Sequence, residues 1–180
     1  MKDQLTLNTQ QTPKADSGFN PLDAFVSQRW VESDVVLTPQ NIAKWIIDYF
    51  KPTGFLLDPC KGDGAFYNNL PDPKDWCEIR KGKDFFKYSK KVDWIITNPP
   101  FTNVELFMEH SFNLAKNVVF ILPAHKPFAS WKRMKLIKEY GGIKELILIK
   151  GQDCNFPFRY PYGIFHFVKR YDDNIKIKVG

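Results

Sequence analysis

The sequence predicts an α/β fold in which helices cover both faces of a mostly parallel sheet. Apolar stretches alternate along the chain with amphipathic segments of about ten to fifteen residues, a succession typical of βαβ units. The 180 residues, 43% of them hydrophobic, are enough for one ordinary core but not for two. We therefore expect a flexible polar tail at residues 1–22 and a single domain at residues 23–180.

The first predicted element is an amphipathic helix over residues 38–50, with Thr38 as its N-cap and Pro39 at its first helical position. The last two β segments, residues 162–171 and 174–179, have no helix between them, so we expect an antiparallel edge hairpin. Between these ends, strands are predicted at 54–59, 75–79, 92–98, 117–123 and 143–149, and helices at 103–116 and 128–142, with a short helix following the glycines in 62–70.

Composition narrows the class of protein. The formal charge of +6 and the pI near 9.1 favour a polyanionic partner such as a nucleic acid. Cys60, Cys77 and Cys154 stand far apart, which suggests neither a zinc site nor a disulfide framework, so no metal is expected. No window approaches the ~18 apolar residues of a membrane span, and no signal peptide is recognisable. We expect a cytoplasmic protein.

Unusual residues follow three of the predicted strands, where open α/β sheets bind their ligands. The first strand ends at Asp58 and leads into DPCKGDGAF, whose glycines allow a tight turn and a close backbone approach to a ligand. Glu78 ends the second strand, where an acid commonly binds ribose hydroxyls. The third strand stops in the rigid corner NPPF, residues 98–101. Such an acidic turn suits a nucleotide-like ligand that carries a positive charge.

These stretches resemble the S-adenosylmethionine-dependent amino methyltransferases, most closely the adenine-N6 DNA methyltransferases, whose motifs are DPxxGxGxF and (D/N/S)PP(Y/F/W). The resemblance covers roughly residues 35–170 and implies a Rossmann-like class I methyltransferase fold with S-adenosylmethionine as cofactor. Only thirteen residues separate Glu78 from Val92, so one sheet edge should be trimmed. The resemblance implies cofactor-binding roles for Thr38, Pro39, Asp58, Pro59, Gly62, Gly64, Phe66, Glu78 and, in GKDFF, Asp84.

The same resemblance implies that Asn98, Pro99, Pro100 and Phe101 form the catalytic corner. A ring-conjugated amine is a poor nucleophile until hydrogen-bond acceptors favour its pyramidal form. The Asn98 side-chain carbonyl and the Pro99 backbone carbonyl supply two fixed acceptors. Phe101 can stack on the target ring and align it.

A base in a duplex must be flipped out to reach this corner. The aromatic stretch between two β segments supplies stacking candidates, Phe156, Phe158 and Tyr160, together with Arg159 and Tyr162; each can equally belong to a hydrophobic edge loop. The run KPFASWKRMK, residues 126–135, either grips a phosphate backbone or is a solvated helix face. We favour the second interpretation.

The predicted function is adenine-N6 methylation of DNA. Methylation of adenine or guanine in rRNA is the alternative enzyme, with protein glutamine methylation weakened by the lack of a separate substrate domain. A non-catalytic partner subunit is the alternative from another class, although the intact NPPF corner argues against it. No segment is free to form a target-recognition domain, so either specificity is low or it is supplied by loops and a partner, such as a second subunit or a dimer.

Overall fold

The computed structural model describes residues 36–154, 156 and 159–179, with the backbone alone for residues 153 and 154. The predicted tail at residues 1–22, the domain boundary at residue 23 and Phe158 lie outside the described residues.

Seven strands form one sheet in the order β2-β1-β3-β4-β6-β5-β7. The pairs β1–β2, β1–β3, β3–β4 and β5–β7 are parallel, and β6 is antiparallel to β4 and β5. The predicted mostly parallel α/β fold is therefore confirmed. The strands are β1 (Leu56–Asp58), β2 (Lys74–Trp76), β3 (Val92–Thr97), β4 (Ala115–Pro123), β5 (Gly141–Lys150), β6 (Pro161–Lys169) and β7 (Lys176–Val179).

In the described part of the chain, three α-helices cover the two faces of the sheet: α1 (Gln40–Phe50), α2 (Val104–Leu114) and α3 (Trp131–Tyr140). Phe50 of α1 packs edge-on against His166 of β6, with 5.1 Å between ring centroids. On the opposite face, Phe112 of α2 contacts Phe167 of β6 and stacks on Tyr140 of α3. Because successive residues of a strand point to opposite faces, His166 and Phe167 place α1 on one side and α2 and α3 on the other.

The antiparallel part of the sheet pairs differently from the sequence prediction. We expected residues 162–171 and 174–179 to form the hairpin, but β6, which begins at Pro161, pairs with β5, which ends at Lys150. Both sides of β6 are then occupied, by β4 and β5, and β7 pairs with the free side of β5 instead. The opposite edge is trimmed as predicted, because β2 pairs only with β1 among the described strands.

Two local predictions are wrong. Pro39 rather than Thr38 is the N-cap of α1, and it keeps an extended ψ of 140° while its carbonyl accepts from the Ile42 and Ala43 amides. The helix predicted within residues 62–70 is a series of turns. Its hydrogen-bond ladder is interrupted because the Tyr67 amide donates to the Asp58 carboxylate instead of to a carbonyl one turn back.

Candidate cofactor pocket and catalytic corner

A cavity of about 330 Å³ joins three separate stretches of the chain at the carboxyl ends of β1 and β3. Its volume falls in the range of small-molecule sites, ~300 to 1,000 Å³. Five of the predicted site residues therefore meet at one place: Thr38, Pro39, Gly62, Phe66 and Asn98. The remaining lining residues are Val36, Leu37, Gln40, Cys60, Lys61, Asp63 and Ala65.

Asp58 stands behind this cavity rather than in its wall. Its side chain is completely buried at the end of β1 and accepts hydrogen bonds from the amides of Cys60 (3.2 Å) and Tyr67 (3.2 Å) and from the hydroxyl of Thr97 (2.9 Å). Burial raises the pKa of Asp58 to about 7, against the opposing effect of these three hydrogen bonds. The carboxylate therefore ties both ends of the glycine turn to β3.

Glu78 holds the same turn from the other side. Its carboxylate is 7% exposed and accepts from the amide of Gly62 at 2.8 Å and from that of Arg80 at 3.2 Å. The backbone adds a further link, since the Lys61 amide donates to the Cys77 carbonyl. Glu78, the acid predicted to bind ribose, thus lies directly against the glycine turn. It reaches this position because it follows the end of β2 by two residues.

The two glycines of the turn are needed for different reasons. Gly62 has φ +50° and Gly64 has φ +91°, a region that L residues rarely adopt. A Cβ on Gly64 would lie 2.8 Å from the Asn68 amide nitrogen, so the exposed Asn68 side chain would have to turn away, in addition to the backbone strain. A Cβ on Gly62 would make only ordinary contacts, with the Leu37 side chain at 3.6 Å and the Cys60 carbonyl at 3.9 Å, and all three residues line the cavity. Gly64 serves the shape of the turn, whereas Gly62 borders the ligand space.

Pro59 and Phe66 flank this turn as buried residues, and Phe66 is part of the core as well as of the cavity wall. Asp84 is not among the cavity-lining residues. Its carboxylate caps the 3₁₀ helix Phe85–Lys87 by accepting from the Phe86 amide at 2.9 Å. A contact of Asp84 with the cofactor adenine stays a prediction.

Asn98 has an unmet hydrogen-bond acceptor. Its Nδ2 donates to the Val36 carbonyl at 2.9 Å, which fixes the orientation of the amide because a carbonyl cannot accept from the amide oxygen. The other end, Oδ1, is buried and has no hydrogen-bond partner among the described residues. Buried polar atoms are nearly always paired, so this oxygen is an exception that points to a ligand.

The rest of the corner is packed. Pro99 is buried, Pro100 is half-buried, and the Pro100 carbonyl accepts from the Asn103 amide at 3.1 Å. Phe101 opens the 3₁₀ helix Phe101–Asn103 with its ring 7% exposed and 6.1 Å from that of Tyr162. In this arrangement its face is covered, so stacking on a target ring requires the ring to move.

The predicted aromatic loop lies against the corner. Tyr162 stacks on Phe156 with centroids 4.4 Å apart and on Tyr160 with centroids 5.3 Å apart, and it also neighbours Phe101. Two of the three predicted stacking residues are therefore beside the catalytic corner. Whether they receive a target base stays a prediction.

Sequence reasoning missed two contributors to the site. One is the Thr97 hydroxyl, which donates to Asp58 from the neighbouring strand. A threonine at the buried end of an apolar strand, one residue before Asn98, was the available signal. The other is the Val36 carbonyl, and a main-chain partner leaves no signal in a sequence.

A second cavity, of about 420 Å³, lies between the outer face of α1 and strands β5 to β7. It contains none of the predicted site residues and is lined almost entirely by apolar side chains. Ile42, Trp45, Tyr49, Ile147, Ile149, Ile164, Lys178 and Val179 form its walls. Across the described part of the chain, no helix is long and apolar enough to cross a membrane, and no group of three or more His, Cys, Asp or Glu could hold a metal ion.

Searches with the sequence return no matching family model and no matching curated protein. Solved structures do match. A candidate class I S-adenosylmethionine-dependent methyltransferase from Listeria monocytogenes is 15% identical, with a TM-score of 0.62 over 85% of this chain and 68% of that one. A candidate RNA methyltransferase from Pyrococcus horikoshii is 16% identical, with a TM-score of 0.52 over 72% of this chain and 82% of that one.

The M protein of the type I restriction enzyme EcoKI is also similar, with 14% identity and a TM-score of 0.60. The match covers 82% of this chain but only 47% of the M protein, so this chain spans about half the length of that protein. At such low identities the likeness establishes the fold. The chain has the Rossmann-like fold of class I methyltransferases.

Proposed function

We propose that this protein transfers a methyl group from S-adenosylmethionine to the exocyclic N6 amine of adenine in DNA. The observation that carries the proposal is the Asn98 side-chain oxygen, which is buried without a partner and belongs to a residue that lines the predicted cofactor cavity. An acceptor held in place there can receive an N–H of a target amine.

The cavity residues suit the cofactor. The Gly62 backbone borders the cavity without a side chain, so a ligand can approach it closely. Glu78 lies directly behind this glycine and Asp63 stands in the wall, which supplies negative charge for a cationic ligand. When bound, S-adenosylmethionine supplies an electrophilic methyl group on a sulfonium.

The residues of the corner would act on the amine. Transfer of that methyl group, with loss of its bond to sulfur, would place positive charge on the target nitrogen, which would then release one proton to solvent. The Asn98 oxygen and the Pro99 carbonyl would accept hydrogen bonds from the two N–H groups of the amine and stabilise that charge. Because the charge develops only during the reaction, these bonds would be stronger in the transition state than in the ground state. Because the prolines restrict the backbone, neither acceptor needs to reorganise.

Nucleic acid is the substrate class that the charge favours. The chain carries a formal +6, and its structural neighbours include both a restriction-enzyme M protein and a candidate RNA methyltransferase. Because of the RNA neighbour, methylation of an adenine or guanine amine in RNA is the second candidate function. This chain spans only half of the M protein, so base readout by a second subunit or a dimer belongs to the proposal.

The deciding experiment is transfer of a labelled methyl group from S-adenosylmethionine to duplex DNA, single-stranded DNA, rRNA and protein, followed by mass spectrometry of the digested products. We expect N6-methyladenine in DNA, with a rate that falls steeply as salt rises. Label found in rRNA alone would support the second candidate function, methylation of RNA, instead. Cofactor binding without transfer to any of the four substrates would favour a non-catalytic subunit.

A further inference from the structure

Two large aromatic side chains are exposed beside the catalytic corner. Trp131, the first residue of α3, is 84% exposed, and Phe128, in the preceding 3₁₀ helix Lys126–Phe128, is 44% exposed. Helix α3 buries Ile137 and Tyr140 instead, so its packing does not account for Trp131. Rings left in solvent at adjoining positions are a feature of binding surfaces rather than of folding.

The segment that carries these rings is basic. Residues 126–140 contain five Lys or Arg and one acid, Glu139. Lys132 bonds Glu105 of α2 at 2.8 Å and also feels the charge of Glu109. Even with both α2 acids counted, basic side chains exceed acidic ones by two. A polyanion would therefore be attracted to this surface.

Three ring contacts and one backbone hydrogen bond connect the catalytic corner to Phe128. Phe101 neighbours Tyr162, Tyr162 stacks on Tyr160, and the Tyr160 ring lies 6.1 Å from that of His125. The His125 carbonyl then accepts from the Phe128 amide at 3.1 Å. We call this series, together with Trp131 three positions further along the chain, the aromatic track: Phe101, Tyr162, Tyr160, His125, Phe128 and Trp131.

The salt bridge between Lys132 and Glu105 fixes the outer end of the track near the corner. Glu105 lies in the first turn of α2, four residues after Phe101, so the start of α3 is held beside the start of α2. The residues that carry the exposed rings are thus held close to the corner in space.

We infer that Phe128 and Trp131 bind a single-stranded nucleic acid and hold it beside the corner that carries Asn98. The inference rests on the proposed function and names its substrate form. Bases stack on aromatic rings irrespective of sequence, and nearby lysines neutralise phosphates. A single strand also leaves the adenine amine unpaired, which avoids the cost of flipping it from a duplex.

The test is the affinity of the full chain for a fluorescently labelled single-stranded oligodeoxyadenylate and for a duplex of the same length, measured by anisotropy. We expect tighter binding of the single strand and about a tenfold loss in Trp131→Ala, in keeping with one lost stacking contact. Phe128→Ala should lose somewhat less. Trp45→Ala is the matched control, because Trp45 is a 43% exposed tryptophan on α1, across the sheet.

The same samples separate this inference from the proposed function. If Trp131→Ala binds the oligonucleotide as the wild type does while methyl transfer to DNA persists, the track assignment is wrong and the proposed function stands. If the wild type binds in a Trp131-dependent way but transfers no methyl group, the track stands and the proposed function fails. Absence of wild-type binding, or a change in self-association with no change in affinity, would also overturn the track and indicate a protein interface.

Discussion

The ends of β1 and β3 stand side by side at the candidate pocket, yet they treat their polar groups in opposite ways. At the end of β1, the Asp58 carboxylate receives three hydrogen bonds from the protein itself. One residue beyond β3, Asn98 makes one hydrogen bond to Val36, and its oxygen has no partner among the described residues. Leaving a buried acceptor unpaired costs ~1 to 3 kcal/mol.

This difference distinguishes support from chemistry. The Asp58 side chain makes its hydrogen bonds within the protein, so its replacement should change mainly the free energy of unfolding. Asn98 retains binding capacity that the fold does not use, so its removal should be felt mainly in turnover. The four predictions below test that division.

The largest expected effect is on the pH dependence of stability. Burial raises the pKa of Asp58 from 3.8 to about 7, so between these values the native state binds a proton that the unfolded state has released. Stability contributed by Asp58 is therefore present at low pH and is lost as pH rises, by about 1.4 kcal/mol per unit and about 3 kcal/mol between pH 5 and pH 8. Asp58→Asn should lack this loss.

Urea unfolding at pH 5 and pH 8 measures this loss of stability in the wild type and in Asp58→Asn. The control is Asp172→Asn, which changes an exposed acid after β6. Parallel pH profiles for the wild type and Asp58→Asn would show that Asp58 is not the buried support described here.

The second effect concerns Asn98. Asn98→Ala removes an acceptor that matters mostly in the transition state, so turnover should fall by about 100-fold while cofactor affinity stays nearly constant. Asn98→Asp keeps acceptor oxygens but loses the donor to Val36, and it should retain more activity than the alanine variant. Single-turnover methyl transfer and calorimetry measure the two quantities. Wild-type turnover in folded Asn98→Ala would discard the amine-acceptor mechanism.

The third effect separates the two glycines. Gly64→Ala strains the backbone at φ +91° and displaces the Asn68 side chain, and it should lower the free energy of unfolding by about 2 kcal/mol. Gly62→Ala makes only ordinary contacts with Leu37 and Cys60 and should cost about 1 kcal/mol, while Gly62→Val should abolish cofactor binding. Thermal unfolding and calorimetry report the two outcomes. Undiminished binding in folded Gly62→Val would remove Gly62 from the cofactor site.

The smallest effect is that of Thr97→Val, which removes one hydrogen bond to Asp58 without changing side-chain shape much. We expect a loss of about 1 kcal/mol in stability at pH 8. Since this bond lowers the pKa of Asp58, the pH at which stability declines should move upward. An unchanged dependence of stability on pH would mean that the Thr97 hydroxyl does little to stabilise the ionised Asp58 carboxylate.

Local patterns allowed much of this molecule to be predicted. The order of strands and helices follows from alternating apolar stretches, and DPCKGDGAF and NPPF are continuous motifs whose place at strand ends is set by glycine and proline geometry. The structure brings these motifs together at one cavity, as their strand-end positions suggested.

What could not be predicted depends on partners distant in sequence. The start of α1 was misplaced because residues before it run extended to the Asn98 amide, 62 positions away. The turn after Gly62 was taken for a helix because nothing local shows that Asp58 captures the Tyr67 amide. The last strand was paired with β6 because loop length alone does not reveal that both sides of β6 are occupied.

The trimmed sheet has a consequence for self-assembly. Its two edges are β2, three residues long and preceded by Pro71 and Pro73, and β7, four residues long with Lys176 and Lys178. Short edges that carry prolines or lysines offer a poor template for another extended chain. Neither edge of the sheet, as the described strands form it, is therefore suited to fibre growth.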